Sequence, residues 1–159
     1  MKKRIKIFVM DVDGTMTNGK IYMGKTGEIF KAFDIKDGYG IHEILPAHNV
    51  TTVILTGRFS DIVINRGKEL AVDHILQNIK DKKNAIKELA KTLGCDTDEI
   101  AYIGDDIIDL DAMELCGAKG CPADAVTEIK AAADYVSCKK GGEGAVRDFI
   151  EWLLAVGMI

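Results

Sequence analysis

The sequence predicts an α/β fold built on a doubly wound, mainly parallel sheet with helices on both faces. Three observations carry this. Short β-rich apolar runs at residues 5–10, 51–55 and 100–103 alternate with helical patterns, each run leads into a polar loop containing glycine, and no internal repeat or low-complexity tract interrupts the order.

Residues 5–10 suit a central strand covered on both faces, and the acidic loop DVDGT follows directly. Residues 20–23 and 28–33 flank Gly24-Lys25-Thr26-Gly27 and read as a projecting β-hairpin, about 19–33 in all. Asp37 is the expected N-cap of an amphipathic segment running toward Pro46, and residues 51–55 then form a second core strand ending in Thr56-Gly57-Arg58. Ser60 is placed to cap a helix to about Leu70, residues 74–76 make a short strand, and Asp81 caps a helix that reaches Leu93 and stops at Gly94. The strand at 100–103 ends in Gly104-Asp105-Asp106 and leads into a helix through Leu115. Residues 118–121 and 135–136 are expected as edge strands, and 145–156 as a closing amphipathic helix. The layout is Rossmann-like, and ligands of such sheets bind beyond the carboxyl ends of the strands, where every polar motif here falls.

The 159 residues fit a single domain, 1–159, able to bury about two thirds of its unfolded surface. A formal net charge of -4 argues against a nucleic-acid partner, which would call for clustered Lys and Arg. The start, MKKRIKIFVMDVDG, opens like a secretory signal, but Lys6 interrupts its apolar run and Asp11 and Asp13 close it, so a buried strand is expected instead. No apolar stretch approaches the ~20 residues of a membrane span, and the cytoplasm is the expected location. Cys95, Cys116, Cys121 and Cys138 lack CxxC spacing and read as reduced structural thiols.

Asp11 and Asp13 stand two apart beyond the first strand, so a turning loop aims both carboxylates into one crevice, where a hard cation such as Mg2+ relieves their repulsion. Phosphoryl transfer requires a carboxylate nucleophile, a group that protonates the leaving oxygen, and cations against the phosphoryl oxygens. Asp11 and Asp13 can fill the first two roles. Thr56, at the end of the next core strand, can offer its hydroxyl and backbone amide to a phosphate, or simply serve as a turn residue. Lys82 opens a helix, where a cation opposes the helix dipole unless an anion compensates it; Lys83 is the competing choice. Asp105, Asp106 and Asp109 in GDDIID form a second acid cluster, of which helix capping explains one.

DVDGT, ILTGR, Lys82 and GDDIID stand in the order found in haloacid dehalogenase-like phosphatases, and the resemblance covers nearly the whole chain. It implies that Asp11 forms an aspartyl-phosphate, that Asp13 acts as general acid and then base, and that Thr56 and Lys82 hold the phosphoryl group. It also implies a magnesium site at Asp11, Asp105 and the main-chain carbonyl of Asp13. Asp106 and Asp109 both qualify for supporting the metal or Lys82, with Asp106 ranked first.

Neither interval that holds a cap domain in such phosphatases has room for one here, so the crevice of a lone subunit would be open. This capless layout, the hairpin, KAFDIKDGYGI and the late GGEGAVRDF resemble the 3-deoxy-D-manno-octulosonate 8-phosphate phosphatase family. The resemblance implies a homotetramer whose hairpins meet centrally, through Ile21, Tyr22, Met23, Ile29, Phe30 and Phe33. It implies hydrolysis of the eight-carbon sugar acid phosphate in lipopolysaccharide sugar biosynthesis. Gly57, Arg58, Arg66 and Lys68 are the expected substrate-binding residues, the cations serving the sugar acid's carboxylate. Phosphatases of nine-carbon 2-keto-3-deoxy sugar acids are the alternative; they tend toward Glu where this chain has Arg58. Glu143 departs from the Gly-Gly-Arg-Gly of many eight-carbon enzymes. A non-enzymatic receiver or binding module is the other alternative; a receiver also pairs acids with Thr and Lys, but places its accepting Asp on a middle strand and the Thr and Lys later, whereas Thr56 and Lys82 precede GDDIID.

Overall fold

A computed structural model describes residues 3–159; Met1 and Lys2, which open the signal-like stretch, lie outside the described residues. Six strands form one parallel sheet: β1 (Ile7–Met10), β4 (Thr51–Leu55), β5 (His74–Leu76), β6 (Ile100–Ile103), β7 (Ala118–Cys121) and β8 (Tyr135–Val136). Their order is β5-β4-β1-β6-β7-β8. β1 pairs with both β4 and β6, Ile7 lying opposite Thr51 and Ile100. After β1 the chain adds strands on one side and then, at β6, crosses to the other. The switch point between β1 and β6 opens a crevice at their carboxyl ends.

Alternation along β1 divides the core. Phe8 and Met10 face a cluster with Ile54, Ala101 and Ile103, closed by Phe149, Ile150 and Leu153 of α7 (Ala145–Ala155) and Val63 of α3 (Asp61–Glu69). Ile7 and Val9 face the opposite cluster with Val53, Leu55 and Tyr102. That cluster is covered by Ile86 and Leu89 of α4 (Lys82–Leu93), Ala112 and Met113 of α5 (Ile107–Met113) and Ile129 of α6 (Thr127–Ala132). Burial on both faces explains why β1, β4 and β6 read as continuous apolar runs. Among the described residues no helix is long and apolar enough to cross a membrane, and all four cysteines are free.

The hairpin is shorter than expected, with β2 (Tyr22–Gly24) and β3 (Gly27–Phe30) and the Tyr22 and Phe30 rings stacked at 4.3 Å. Asp34, not Asp37, caps the next helix. Its carboxylate accepts from the Lys36 and Asp37 N–H groups at the start of α1 (Ile35–Tyr39), which runs through a wide i+5 turn at Gly40–Ile44 into α2 (Leu45–Ala47). Asp37 instead turns inward and accepts from the Arg147 N–H at 2.8 Å in the first turns of α7. Ser60 occupies the N-cap of α3, yet its hydroxyl donates to Glu28 Oε1 at 3.0 Å rather than closing the helix. β7 is interior, because β8 pairs outside it. α5 ends at Met113, short of Leu115, and α6 is an element the sequence pattern did not announce.

Candidate active site

Asp11 leaves β1 with its N–H bonded to the Ile103 carbonyl of β6 at 3.1 Å, so the switch point itself fixes its main chain. DVDGT then forms a wide turn, closed by the Thr17 N–H on the Val12 carbonyl at 3.1 Å. Within it Gly14 has φ 91°, and a Cβ there would lie 2.0 Å from Asp105 Oδ2. Only glycine lets the β1 loop press against the β6 loop so closely. Thr15 completes the junction by donating to Asp105 Oδ1 at 3.2 Å. The late glycine loop packs on the same turn: the Gly142 N–H donates to the Thr15 carbonyl at 3.1 Å, and a Cβ on Gly141 would stand 2.0 Å from the Gly14 carbonyl oxygen.

Lys82, in the first turn of α4, reaches across this junction. Its ammonium donates to Asp11 Oδ1 and to Asp109 Oδ1, each at 2.7 Å, with 2% of the side chain exposed. Asp109 is fully engaged. Oδ1 also accepts from the Tyr102 hydroxyl at 2.7 Å, and Oδ2 accepts from the Asp105 and Asp106 N–H groups at 3.1 and 3.3 Å. Asp109 thus caps α5 and anchors Lys82 at once.

Asp11, Asp105 and Asp109 bring donor oxygens within 4.8 Å of one another. Among the described residues one ammonium, that of Lys82, pairs with Asp11 and Asp109 while Asp105 stands beside them, so negative charge is in excess. Burial pushes the Asp11 carboxyl well above its ordinary range, Asp109 adds to this, and Lys82 offsets only part. Burial and then Asp109 push Asp105 up to about 6. Burial works against the Lys82 ammonium, but Asp11 and Asp109 outweigh it and raise its pKa. Such a donor set, hard, anionic and undercompensated, fits a magnesium ion.

Asp13 lies at the rim, 20% exposed; its Oδ1 accepts from the Lys31 ammonium and its Oδ2 is 3.6 Å from Arg58 Nη1. Thr56 is buried at the end of β4, but its main-chain N–H donates to the Leu76 carbonyl at 2.9 Å. The expectation that this amide serves a phosphate is therefore corrected, since it prolongs the contact between β4 and β5; the hydroxyl remains. Gly57 and Arg58 are exposed in the following loop, with Arg58 Nη1 3.2 Å from Glu28 Oε2. Arg66 is not brought to the carboxylates: its guanidinium lies 5.6 Å over the Phe33 ring and pairs with Glu69 at 2.9 Å. Lys68 is exposed further along α3. Asp106 also stands outside the carboxylate group, its Oδ1 accepting the Ile107 N–H at 2.7 Å. Lys83 is half-buried beside a cavity of about 430 Å³ that Lys80, Ile107, Ile108 and Asp111 also line.

Sequence reasoning missed Tyr102, Lys31 and Glu28. Tyr102 had a signal, because a tyrosine inside an otherwise apolar central strand must find a partner for its hydroxyl.

A family model of haloacid dehalogenase-like hydrolases matches residues 51–150. The 3-deoxy-D-manno-octulosonate 8-phosphate phosphatase KdsC of Yersinia pestis is 41% identical over 150 residues, 94% of this chain and 80% of that protein. The Escherichia coli K12 enzyme of the same name is 39% identical over 152 residues, 96% of this chain and 80% of the relative. Among solved structures, the Moraxella catarrhalis phosphatase, in complex with magnesium, phosphate and the sugar acid KDO, has a TM-score of 0.92 at 40% identity, covering 97% of this chain and 88% of that one. The cobalt-bound Haemophilus influenzae enzyme has a TM-score of 0.91 at 35% identity, covering 97% and 90%. The chain belongs to the haloacid dehalogenase-like hydrolases, within the capless family of 3-deoxy-D-manno-octulosonate 8-phosphate phosphatases.

Proposed function

We propose that the chain is a magnesium-dependent phosphomonoesterase that hydrolyses 3-deoxy-D-manno-octulosonate 8-phosphate to the free sugar acid and phosphate. One observation carries the reading: a buried Asp11 carboxylate at the switch-point crevice, clamped by Lys82 and set against Asp105, in a chain that aligns over 94% of its length with such a phosphatase.

In this reading an oxygen of Asp11 attacks phosphorus, the bond from phosphorus to the sugar oxygen breaks, and Asp13 gives that oxygen its proton. Water then attacks the aspartyl-phosphate and passes a proton to Asp13, releasing phosphate and restoring Asp11. Lys82 holds Asp11 in place and, with the Thr56 hydroxyl, faces the phosphoryl group. Magnesium, held by Asp11, Asp105 and the Asp13 carbonyl, supplies charge neutralisation for the phosphoryl oxygens. Gly57 and Arg58 border the crevice and are the residues proposed to meet the sugar acid. Arg66 and Lys68, expected for the same task, stand on α3, where Arg66 is engaged by Phe33 and Glu69 and Lys68 is exposed.

Residues 1–159 are proposed to act as one phosphatase domain, since the site draws on side chains from Asp11 to Asp109. A homotetramer is proposed on the exposure of Ile21, Met23, Ile29 and Phe30, at 38%, 62%, 62% and 49%, on a hairpin beside an uncapped crevice. Phe33 packs on its own core instead. A monomer in sedimentation at micromolar concentration would remove that part. Free cysteines accord with the proposed cytoplasmic location.

The test compares kcat/KM for eight- and nine-carbon 2-keto-3-deoxy sugar acid phosphates with magnesium. Preference for the eight-carbon ester is expected, and Asp11→Asn should release no phosphate. A nine-carbon preference would overturn the substrate, and a fully active Asp11→Asn the nucleophile.

A further inference from the structure

We propose that Lys31 is a positioning residue for proton transfer: from the hairpin it fixes the carboxylate of Asp13. The proposal rests on the reading of Asp13 as general acid and base.

Lys31 directly follows β3, and only 2% of its side chain is exposed. A buried ammonium is costly unless opposite charges meet it. Two do so here, Asp13 Oδ1 and Glu28 Oε2, the latter at 3.0 Å. Glu28 is itself fixed, accepting from the Ser60 hydroxyl at 3.0 Å and Arg58 Nη1 at 3.2 Å, which ties β3 to the loop after β4. Two cations and two carboxylates therefore close a balanced group at the crevice mouth.

The two cations do not hold Asp13 equally. Arg58 is 46% exposed and stands 3.6 Å from Oδ2, beyond hydrogen-bond length, and such exposed pairs confer little order. Lys31 is enclosed and in hydrogen-bond contact with Oδ1, so it fixes the orientation of the carboxylate. With Oδ1 occupied, Oδ2 is the oxygen left to exchange a proton with a substrate. A general acid must come within ~3 Å of the departing oxygen, and misplacement by about 1 Å can cost on the order of a hundredfold. The sequence separation between Lys31 and Asp13 is 18 residues, so the grip depends on the hairpin being in place.

The alternative role, a tie that merely holds the hairpin, makes a different prediction. The experiment measures kcat/KM with magnesium for p-nitrophenyl phosphate, whose leaving group departs without a proton, and for phenyl phosphate, whose more basic leaving group needs one. Neither carries the sugar, so lost sugar contacts do not enter, and kcat/KM reports only steps through leaving-group departure. Lys31→Met should lower the value for phenyl phosphate about tenfold more than for p-nitrophenyl phosphate, with Lys31→Arg recovering part of the difference. Equal losses on both esters would overturn the proposal. Asp13→Asn is the control: if it lacks the selective loss, the Asp13 reading fails, whereas its presence there and absence in Lys31→Met sinks only Lys31. Should Lys31→Met fail to fold, Lys31→Gln is read by the same two outcomes.

Discussion

Replacing Lys82 by Met removes the one ammonium that, among the described residues, pairs with the buried Asp11 and Asp109 carboxylates, and the cost can be worked from its contacts. Asp11 and Asp109 each lie 2.7 Å from Nζ, and their side chains are 4% and 0% exposed. Removing one partner of a buried pair costs about 3–5 kcal/mol, because the charge left behind has neither partner nor water. For a domain this size, ~1 kcal/mol moves the melting temperature by about 2–4 °C, so a fall of roughly 10 °C is expected in EDTA at neutral pH. The sign of the pH dependence follows. Without Lys82, the folded-state pKa of Asp11, already held above its ordinary value by burial, rises further above its unfolded value. The folded state then binds protons that the unfolded chain does not, and stability returns as pH falls. Magnesium should restore part of the loss at neutral pH by supplying the missing positive charge. Lys83→Met, altering a half-buried neighbour with no ion pair among the described residues, should shift stability by less than about 0.5 kcal/mol. Urea unfolding of both variants, with EDTA or magnesium at neutral and mildly acidic pH, gives the measurement. A Lys82→Met loss below about 1 kcal/mol in EDTA at neutral pH, or one equal to that of Lys83→Met, would refute the assignment of Lys82 as the buried counter-charge.

Gly14→Ala puts a methyl 2.0 Å from Asp105 Oδ2 at a φ of 91°. The displaced Asp105 should weaken magnesium affinity by about 10- to 100-fold, read from the magnesium dependence of phosphate release; unchanged dependence would contradict the tight junction of the two loops. Asp37 is 2% exposed, and burial pushes its carboxyl from 3.8 up to about 6. The folded state therefore takes up a proton before the unfolded chain does, and stability should fall by up to about 3 kcal/mol as pH rises from 4 through 6. Asp37→Asn should flatten that part of a melting-temperature profile, and an unaltered slope would place its origin elsewhere.

The strands were legible because burial on both faces writes itself as apolar runs, and the β4, β5, β6, β7 and β8 boundaries coincide with those read from the chain. The choice between Asp106 and Asp109 was not. They occupy the N-cap and third position of α5, where a capping box accepts a carboxylate at either place, so local rules treat them alike. The Tyr102 hydroxyl and the Lys82 ammonium, 7 and 27 residues away, draw Asp109 inward and leave Asp106 exposed. Asp37 misled for the same reason: Asp34 and Asp37 both suit a helix start, and the Arg147 N–H of α7, 110 residues on, decides which one is buried. Lys31 carried no local signal, since nothing in KAFD indicates that its ammonium folds back under the hairpin to Asp13.

These contacts divide the site between two parts of the fold. Asp11, Lys82 and Asp109 sit on or beside β1, α4 and α5, anchored by the switch point and the core, and their geometry does not involve the hairpin. Asp13 is joined to the hairpin through Lys31, and the loop bearing Arg58 through Glu28. The same hairpin turns Met23, Ile29 and Phe30 outward. A neighbouring subunit covering that apolar face would therefore press on the elements that hold the proposed proton donor and the proposed substrate loop, while leaving the proposed nucleophile, Asp11, and Lys82 undisturbed. Dissociation of the proposed tetramer and loss of Lys31 should then resemble one another, each impairing the departure of basic leaving groups more than the proposed attack by Asp11 on an activated ester.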